Sequence, residues 1–410
     1  MDKFEKQFEA YAELAVRLGV NVQPGQLVVI DAALDAAAFV RVIAEKAYDA
    51  GARMVHVEWS DAAVNRTNLL RSPVDALSEY PRWKAQGYLE MAQAGAAFIG
   101  IHTPQPGFLK DVAADRLAAS QRAAQQALQP YQRLRMSAQV SWLGMLVPTQ
   151  AWADQVFADL PEEQRLSALW DVVFQVTRAD RPDPVEAWRE HVEQLQARLT
   201  KLNDAQFTCL HYRAPGTDLT IELPEHHVWV GGGNRTATGV VTVPNIPTEE
   251  CFTAPLRTGV NGTVRSTKPL YYGGKLIEDF SLTFREGRLV DFTAEVGRDV
   301  LESIITSDEG ARYLGEVALV PHSSPISQTG LTFYHTLFDE NASCHIALGA
   351  AYPINLQGGA EMSKEDLLQH GVNSSMVHVD FMIGSAELDI DAQTGSGEWI
   401  RLFRQGEWAD

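Results

Sequence analysis

Apolar and polar residues follow two different patterns along this chain, and the change between them falls near residue 205. Before that point, apolar runs such as L-V-V-I-D-A-A (27–33) and M-V-H-V-E-W-S (54–60) precede stretches with apolar residues every three or four positions, as in 39–52. The runs are typical of buried strands and the spaced pattern is typical of amphipathic helices. Strands that alternate with helices of about a dozen residues indicate βαβ units and a mostly parallel sheet.

The same alternation continues through the rest of the first half. The predicted helices occupy residues 2–18, 39–52, 78–94, 112–129 and most of 150–202. The predicted strands occupy residues 27–33, 54–60, 96–102 and 137–148. No G-x-G-x-x-G sequence follows any of these strands, so nothing in this half supports a dinucleotide site.

Short strands dominate the second half. Segments such as F-T-C-L-H-Y, D-L-T-I-E-L-P and F-S-L-T-F-R-E-G-R-L-V are separated by Gly, Pro and Asp, which predicts antiparallel pairing. A chain of 410 residues is long for one core and suits two domains. We therefore predict an α/β protein with an N-terminal α/β domain (1–205), whose sheet is mostly parallel, and a strand-rich α+β C-terminal catalytic domain (206–410).

Composition narrows the classes of partner. The chain has 34 Lys and Arg against 53 Asp and Glu, a net charge of −19, which disfavours nucleic acid and anionic membranes as partners. Its three cysteines are odd in number and far apart, which argues against a disulfide framework and favours a reducing compartment. The N-terminus has no apolar signal region and no apolar run approaches the length of a membrane span. We therefore predict a cytoplasmic protein.

The stretch from Glu316 to Asp380 concentrates the candidate chemistry. It holds two histidines, several carboxylates and a tyrosine among apolar neighbours, and charged groups seldom enter a core unless they are paired or bind metal. The sequence M-V-H-V-D-F-M-I predicts a strand. His378 and Asp380 then point to one face, roughly 7 Å apart along the backbone, where both can reach one cation. A lone histidine on such a strand is more often a hydrogen-bonded core residue, so the cluster decides the interpretation.

A second candidate pair lies in A-S-C-H-I-A-L-G-A-A-Y-P. His345 and Tyr352 are seven residues apart and share a face if the stretch is helical, with Asp339 or Asn341 as its N-cap. Glu340 is five residues before His345, which is the wrong phase for one regular helix. Glu340 therefore joins His345 only if it lies in the turn that leads into the element.

An acidic pair lies upstream in N-I-P-T-E-E-C-F-T-A-P (245–255). Adjacent carboxylates repel each other unless a positive group lies close or the side chains diverge. We expect Glu249 and Glu250 to point apart, with one of them directed inward. The alternative is a solvated acidic loop.

Several long motifs resemble the family of aminopeptidase T, aminopeptidase S and PepS, which are thermophilic-type dinuclear metalloaminopeptidases. The motifs are N-I-P-T-E-E with F-T-A-P, G-E-V-A-L-V-P, L-F-D-E-N-A-S-C-H-I-A-L-G-A-A-Y-P and H-V-D-F-M-I-G, together with G-V-N-V-Q-P-G-Q-L-V-V-I in the first half. They occur in order over essentially the whole chain. The resemblance implies a pair of divalent metals, removal of N-terminal residues from peptides with a free N-terminus, a separate C-terminal catalytic domain and a homodimer.

The resemblance also assigns residues, motif by motif. The implied metal ligands are Glu250, Glu316, His345, His378 and Asp380. Glu340 is implied as a further ligand or as the proton-transfer base, and Tyr352 as the catalytic tyrosine. Cys251 stands where family members often have an aliphatic residue, which suggests added sensitivity to metals or oxidation beside Glu250.

The implied mechanism uses a carboxylate such as Glu316 to bridge two ions that activate water. Carboxylates with only two imidazoles suit zinc, cobalt, manganese or magnesium. Tyr352 would donate to the developing oxyanion, and Glu340 or Glu249 would carry the proton. The alternatives are a dinuclear metal phosphoesterase or amidohydrolase, and a non-catalytic, metal-stabilised binding protein. A zincin is excluded because no H-E-x-x-H occurs.

Overall fold

The computed structural model describes residues 2–273 and 275–409. The chain divides into two compact units. The first contains the chain up to Glu190 together with Gly233–Pro247, and the second contains His191–Gly232 and the chain from Thr248 onward. Among the described residues, no helix is both long enough and apolar enough to cross a membrane.

The helices and strands are numbered in chain order. The α-helices are α1 (Lys3–Leu14), α2 (Ala37–Asp49), α3 (Ala62–Arg71), α4 (Val74–Leu77), α5 (Arg82–Gln93), α6 (Ala114–Met136), α7 (Gln150–Val156), α8 (Glu162–Val176), α9 (Pro184–Ala205), α10 (Arg298–Ile305), α11 (Thr336–Asp339) and α12 (Lys364–Gln369). The strands are β1 (Leu27–Ala33), β2 (Met54–Ser60), β3 (Ala97–His102), β4 (Trp142–Leu146), β5 (Cys209–Ala214), β6 (Thr217–Glu222), β7 (Asn234–Arg235), β8 (Val241–Thr242), β9 (Asn245–Ile246), β10 (Cys251–Thr253), β11 (Val260–Arg265), β12 (Leu270–Tyr272), β13 (Lys275–Arg285), β14 (Arg288–Val296), β15 (Leu314–Leu319), β16 (His345–Gly349), β17 (His378–Met382), β18 (Asp389–Gln393), β19 (Trp399–Arg404) and β20 (Glu407–Trp408).

The first unit is built on a parallel sheet with the strand order β2-β1-β3-β4-β9. Strands β1 and β2 have the predicted bounds, and β3 and β4 lie inside theirs. The side chains of Val29, Tyr88, Phe98 and Tyr131 join in one apolar cluster of this unit. The predicted α/β class, with its mostly parallel N-terminal sheet, is confirmed.

The first helix shows how local sequence sets these elements. Asp2 accepts a hydrogen bond from the Glu5 N–H and the Glu5 side chain accepts one from the Asp2 N–H, which is a capping box that satisfies two free donors of the first turn. After Leu14 the chain continues as one wider helical turn, Ala15–Gly19. The predicted helix over 2–18 is therefore α1 together with this turn.

The second unit contains two antiparallel sheets. The larger sheet runs β12-β13-β11-β6-β5-β18-β19-β20, with β14 also paired to β13, and the smaller runs β10-β15-β16-β17. Apolar residues of both sheets share one buried cluster; Phe280 of β13 and Phe381 of β17, for example, have ring centroids 5.2 Å apart. One face of the smaller sheet is therefore committed to the core.

Two predictions about this unit can be compared with the structure. The conditional helix from His345 to Tyr352 is wrong, because His345–Gly349 is strand β16, hydrogen-bonded between β15 and β17. The predicted domain division at residues 205 and 206 stays a prediction: α9 ends there, while its residues from His191 onward belong to the second unit.

Candidate metal centre

The smaller antiparallel sheet has one apolar face and one polar face. In its register, Ala347 of β16 lies opposite both Glu316 and Asp380, and His345 lies opposite Ala318. Directly paired residues share a face and successive residues alternate. After the register shift between Leu314 and Glu316, the odd positions of β15 and β17 and the even positions of β16 therefore enter the core, whereas the polar side chains collect on the other face. Ala318 and Ala347 are small, so they leave room between the polar side chains on that face.

The polar side chains form two groups that share Glu316. In the first group, Glu250 Oε2 lies 3.0 Å from His345 Nε2, and Glu316 Oε1 lies 3.6 Å from the same nitrogen. In the second group, Glu316 Oε2 lies 3.5 Å from His378 Nε2, and Asp380 Oδ1 lies 3.3 Å from it. The two carboxylate oxygens of Glu316 thus face different histidines.

The backbone fixes which nitrogen each histidine presents. His345 Nδ1 lies 3.1 Å from the Ser343 carbonyl oxygen, and His378 Nδ1 lies 2.6 Å from the Ala350 carbonyl oxygen. A carbonyl oxygen only accepts, so each Nδ1 carries a proton and donates it. In the neutral tautomer, Nε2 then has a free lone pair aimed at the carboxylates, which is the usual arrangement of a metal-binding histidine.

The site holds more negative than positive groups in a buried setting. Burial raises the pKa of Glu316 to about 7, with Asp380 and Glu250 adding to the rise against a hydrogen bond from His345. Burial lowers the pKa of His378, but Asp380 and Glu316 outweigh it and raise that pKa to about 10. Burial also opposes ionisation of Asp380, yet His378 holds the pKa of Asp380 below its ordinary value. In the absence of a metal, protons have to supply the missing positive charge.

These residues fit divalent ions. Asp380 Oδ1 is buried and has no well-aligned hydrogen-bond donor among the described residues, since His378 Nε2, 3.3 Å away, makes an ion pair of poor hydrogen-bond geometry when it is protonated. A buried carboxylate oxygen without a donor is costly unless a cation meets it. Two imidazole nitrogens and several carboxylate oxygens are a donor set for zinc, cobalt, manganese or magnesium.

Glu340 and Glu249 occupy different places around this cluster. Glu340 lies in the turn before β16 and outside both groups, and burial, followed by Asp380 and Glu250, raises its pKa well above the ordinary value. Glu249 is 5% exposed and its Oε2 lies 3.4 Å from His191 Nε2. Glu249 and Glu250 therefore point to different partners, as expected. Both are buried, so the expectation that only one is directed inward is wrong, and so is the alternative of a solvated acidic loop.

Tyr352 lies beside the second group, after β16 ends. Its ring centroid is 5.2 Å from that of His378, edge to face, and 5.8 Å from that of Phe252. Burial, and after it the charges of Glu316 and Asp380, raise the pKa of Tyr352 well above the ordinary value. The phenol therefore keeps its proton at neutral pH and is available as a hydrogen-bond donor.

Sequence reasoning missed the role of two residues that support the site. Asn341 is fully buried; its Oδ1 accepts the Glu249 N–H at 2.7 Å and its Nδ2 lies 3.5 Å from Glu340 Oε1. Asn373 is bonded to the backbone that precedes Tyr352. A buried amide carries no periodic signal, so the sequence named Asn341 only as a possible helix N-cap and did not indicate Asn373. Cys251 is fully buried on the core face and burial raises its pKa to about 12, so its thiol is inert and the suggested sensitivity beside Glu250 finds no support.

The whole chain resembles known aminopeptidases. A family model described as thermophilic metalloprotease (M29) matches residues 4–408. "Aminopeptidase 2" of Geobacillus stearothermophilus is 51% identical over all of this chain and 99% of its own length. "Aminopeptidase AmpS" of Bacillus subtilis is 47% identical, with 100% of both chains covered.

A solved structure shows the same fold. The structure described as wild-type AmpT from Thermus thermophilus superposes with a TM-score of 0.93 at 40% sequence identity, and the match covers 99% of this chain and 100% of that one.

Proposed function

The chain belongs to the M29 family of thermophilic metalloproteases, and we propose that it is a metal-dependent aminopeptidase that uses two divalent ions to remove N-terminal residues from peptides. The observation that carries the two-ion proposal is the placement of Glu316. Its Oε1 faces His345 with Glu250, and its Oε2 faces His378 with Asp380. A carboxylate shared in this way suits a bridge between neighbouring ions.

The proposed ligands are the members of the two groups. They are Glu250, Glu316, His345, His378 and Asp380. Two divalent ions bound by them would polarise the scissile carbonyl and lower the pKa of water. The protein's part is to hold these donors in place. Strand register fixes Glu316 and Asp380, and the carbonyl oxygens of Ser343 and Ala350 fix the imidazole rings.

Tyr352 is the proposed donor to the substrate carbonyl oxygen. Its phenol stays protonated because burial and nearby carboxylates raise its pKa. As the carbonyl carbon is attacked, its oxygen gains negative charge, and a donor already in place stabilises that charge more than it stabilises the substrate.

Glu340 is the proposed proton carrier. It lies outside both ligand groups but within their electric field. A carboxylate whose pKa is raised above its ordinary value is a stronger base, and in its ionised form it can accept a proton from attacking water and pass it to the leaving amine. Glu249, the other candidate, is directed to His191, so we assign the transfer to Glu340.

The excess of carboxylates in the site also suits a substrate that brings a positively charged α-amine, which would restrict cleavage to chain ends.

Hydrolysis of leucine p-nitroanilide tests the proposal, with N-acetyl-leucine p-nitroanilide as the control substrate. The protein is stripped with a chelator and then given zinc, cobalt, manganese or magnesium singly. Cleavage that returns with an ion and requires the free amine is expected. If the protein binds two ions per chain and cleaves neither substrate with any of them, the dinuclear phosphoesterase or amidohydrolase alternative is favoured.

We also propose a cytoplasmic homodimer. All three cysteines are free and buried, which supports a reducing compartment. The dimer rests on the family resemblance, and light scattering coupled to size-exclusion chromatography tests it, with a mass near twice 45.2 kDa expected.

A further inference from the structure

We propose that Asn373 is a positioning residue that fixes the segment Gly349–Tyr352 and thereby sets the placement of both the Tyr352 phenol and the His378 imidazole. The inference rests on the proposed function, because it assigns a purpose to residues around that site. Asn373 lies in the loop between α12 and β17, and its hydrogen bonds go to Arg257, Gly310 and the Gly349–Tyr352 segment. Its effect is transmitted through the backbone.

The segment that carries Tyr352 is held on several sides. Three consecutive N–H groups donate to three different neighbours: Gly349 to the Tyr313 carbonyl (2.8 Å), Ala350 to the Val377 carbonyl (2.7 Å) and Ala351 to the Asn373 carbonyl (3.0 Å). Gly349 has φ +108°, and a Cβ there would lie 2.1 Å from the Val377 carbonyl oxygen. The segment has little freedom as long as these partners stay in place.

The Asn373 side chain adds the remaining tie. Its Nδ2 donates to the Gly349 carbonyl at 2.6 Å and to the Gly310 carbonyl at 2.8 Å. Its Oδ1 accepts from Arg257 Nε at 3.1 Å. The residue is 3% exposed, so these bonds are shielded from competing water.

Arg257 orients the amide. Its guanidinium carbon lies 3.7 Å from the ring centroid of Tyr313, which limits the positions of its Nε. Two carbonyl oxygens require the NH₂ end of the amide and Arg257 Nε–H requires the oxygen end, so the flip of Asn373 is determined by its partners. Only an amide of this length offers two donors and one acceptor in this geometry.

Two consequences for the site follow from this tie. The Ala350 carbonyl, one residue after Gly349, receives the Nδ1 proton of His378, so displacement of the segment frees that ring to rotate. Tyr352 is three residues after Gly349 and approaches His378 edge to face. Loss of the Asn373 donors is therefore expected to disturb the second ligand group and the phenol, and to leave the Glu250–His345 pair alone.

The decisive variant is Asn373→Asp. It keeps the shape and the acceptor for Arg257, and it replaces both donors with an oxygen that repels two carbonyls. Its metal-free form should exchange the backbone amides of 349–352 faster in hydrogen–deuterium exchange mass spectrometry. In metal titrations, one of two ions should bind about 10- to 100-fold more weakly, as is usual for residues that support a ligand, while the other is unchanged.

Kinetics add a readout that a general loss of stability would not give. With saturating metal, kcat should fall at least about 10-fold while KM changes little. In a Tyr352→Phe background, where the hydroxyl is already absent, Asn373→Asp should lower kcat by less than about 3-fold at saturating metal, because the weaker ion site is then filled and the remaining effect acts through the phenol.

Asn203→Asp is the matched control. Asn203 Nδ2 donates to the Trp229 carbonyl, and Asn203 Oδ1 accepts from the Trp229 N–H. No described hydrogen bond joins Asn203 to the Gly349–Tyr352 segment. It should reproduce any general destabilisation without a selective loss of one ion. If Asn373→Asp does not fold, Arg257→Met removes the donor that orients the amide, together with the guanidinium contact on Tyr313, and leaves Asn373 in place, so a smaller change of the same pattern is expected.

Two results would overturn the proposal: unchanged exchange at 349–352 with unchanged affinity for both ions, or equal weakening of both ions as in the control. Exchange and metal affinity are measured without substrate. A wild-type protein that binds two ions and cleaves no peptide would therefore end the proposed function and still leave the assignment of Asn373 to be judged.

Discussion

At the scale of single residues, the site depends on which atom each side chain turns toward the carboxylates. Tyr352 is the clearest case, because its raised pKa leaves a proton on the phenol. We predict that Tyr352→Phe lowers kcat about 100-fold, equivalent to about 3 kcal/mol for one well-placed donor. Metal content, measured by elemental analysis, should not change, because the phenol is not a proposed ligand. A variant that keeps wild-type kcat would remove Tyr352 from the reaction.

The role of Glu340, as a metal ligand or as the proton-transfer base, is open from the sequence, and one variant distinguishes the two roles. Because Glu340 lies outside both ligand groups, we predict that Glu340→Gln still binds two ions per chain and lowers kcat about 100- to 1,000-fold, a range typical of general acid–base groups. Titration of the metal-free variant with zinc, followed by steady-state kinetics, gives both numbers. Loss of one ion in the variant would instead make Glu340 a ligand.

Sequence patterns located part of this site and misread another part, for a physical reason. His378 and Asp380 were placed on one strand face because β-branched residues alternate with them, and β17 confirms this. His345 and Tyr352 were joined through a helix because a seven-residue spacing fits two helical turns. The sequence H-I-A-L-G fits a strand equally well, and pairing to β15 and β17 decides the matter. Such pairing is non-local and leaves no local signal.

At the scale of elements, the two faces of the smaller sheet of the second unit have different roles: one packs in the core, and the other carries the candidate metal ligands. Ala347 lies opposite Glu316 and Asp380 on the polar face, whereas its neighbour Ile346 is buried in the core. We predict that Ala347→Val fills space between the two carboxylates and weakens binding of one ion at least about 10-fold, as calorimetric titration would show. The added methyl groups have few other places to go in a packed strand.

Ile346→Val is the matched change on the opposite face. It should cost about 0.5–1.5 kcal/mol of unfolding free energy and leave affinity for both ions as in the wild type. Weakened metal binding in Ile346→Val, or wild-type binding in Ala347→Val, would contradict the assignment of the two faces.

Element prediction worked best where sequence neighbours are also spatial neighbours. The βαβ succession of the first half fixes parallel pairing and most strand positions. The sequence did not indicate that Asn245–Ile246 returns to pair with β4, because two residues carry no period. Nor did it give the strand order of the antiparallel sheets, since β5 pairs with both β6 and the distant β18, and such contacts depend on closure of long loops.

At the scale of the whole molecule, the chain carries a net charge of −19. It also contains a buried group of carboxylates that needs positive charge for its own stability. If the proposed ligands bind ions, metal binding and folding are coupled, because the ions would bind the folded arrangement of ligands and displace protons from it. The ion-free protein has to hold those protons. Its stability should depend on pH in a way that the ion-bound protein avoids.

The direction of that dependence follows from two shifted groups. The pKa of Glu316 is raised to about 7 from its ordinary 4.5, so the ion-free folded state binds a proton that the unfolded chain has released, and stability falls as the pH rises from about 4.5 through 7. His378, with a pKa raised to about 10 from its ordinary 6.5, stabilises the ion-free fold fully below pH 6.5 and loses that contribution as the pH rises through 10.

Ions bound at the proposed ligands would replace both protons, so we predict that the increase in melting temperature on adding manganese grows from pH 6 to 7 to 8. Manganese is the better probe because it binds the cysteine thiolates of the unfolded chain more weakly than zinc does. Melting curves with manganese and with a chelator at each pH measure the difference. His378→Ala, which lacks one of the two protons, should show a smaller growth. A difference that shrinks as the pH rises would contradict the link between these protons and the ions.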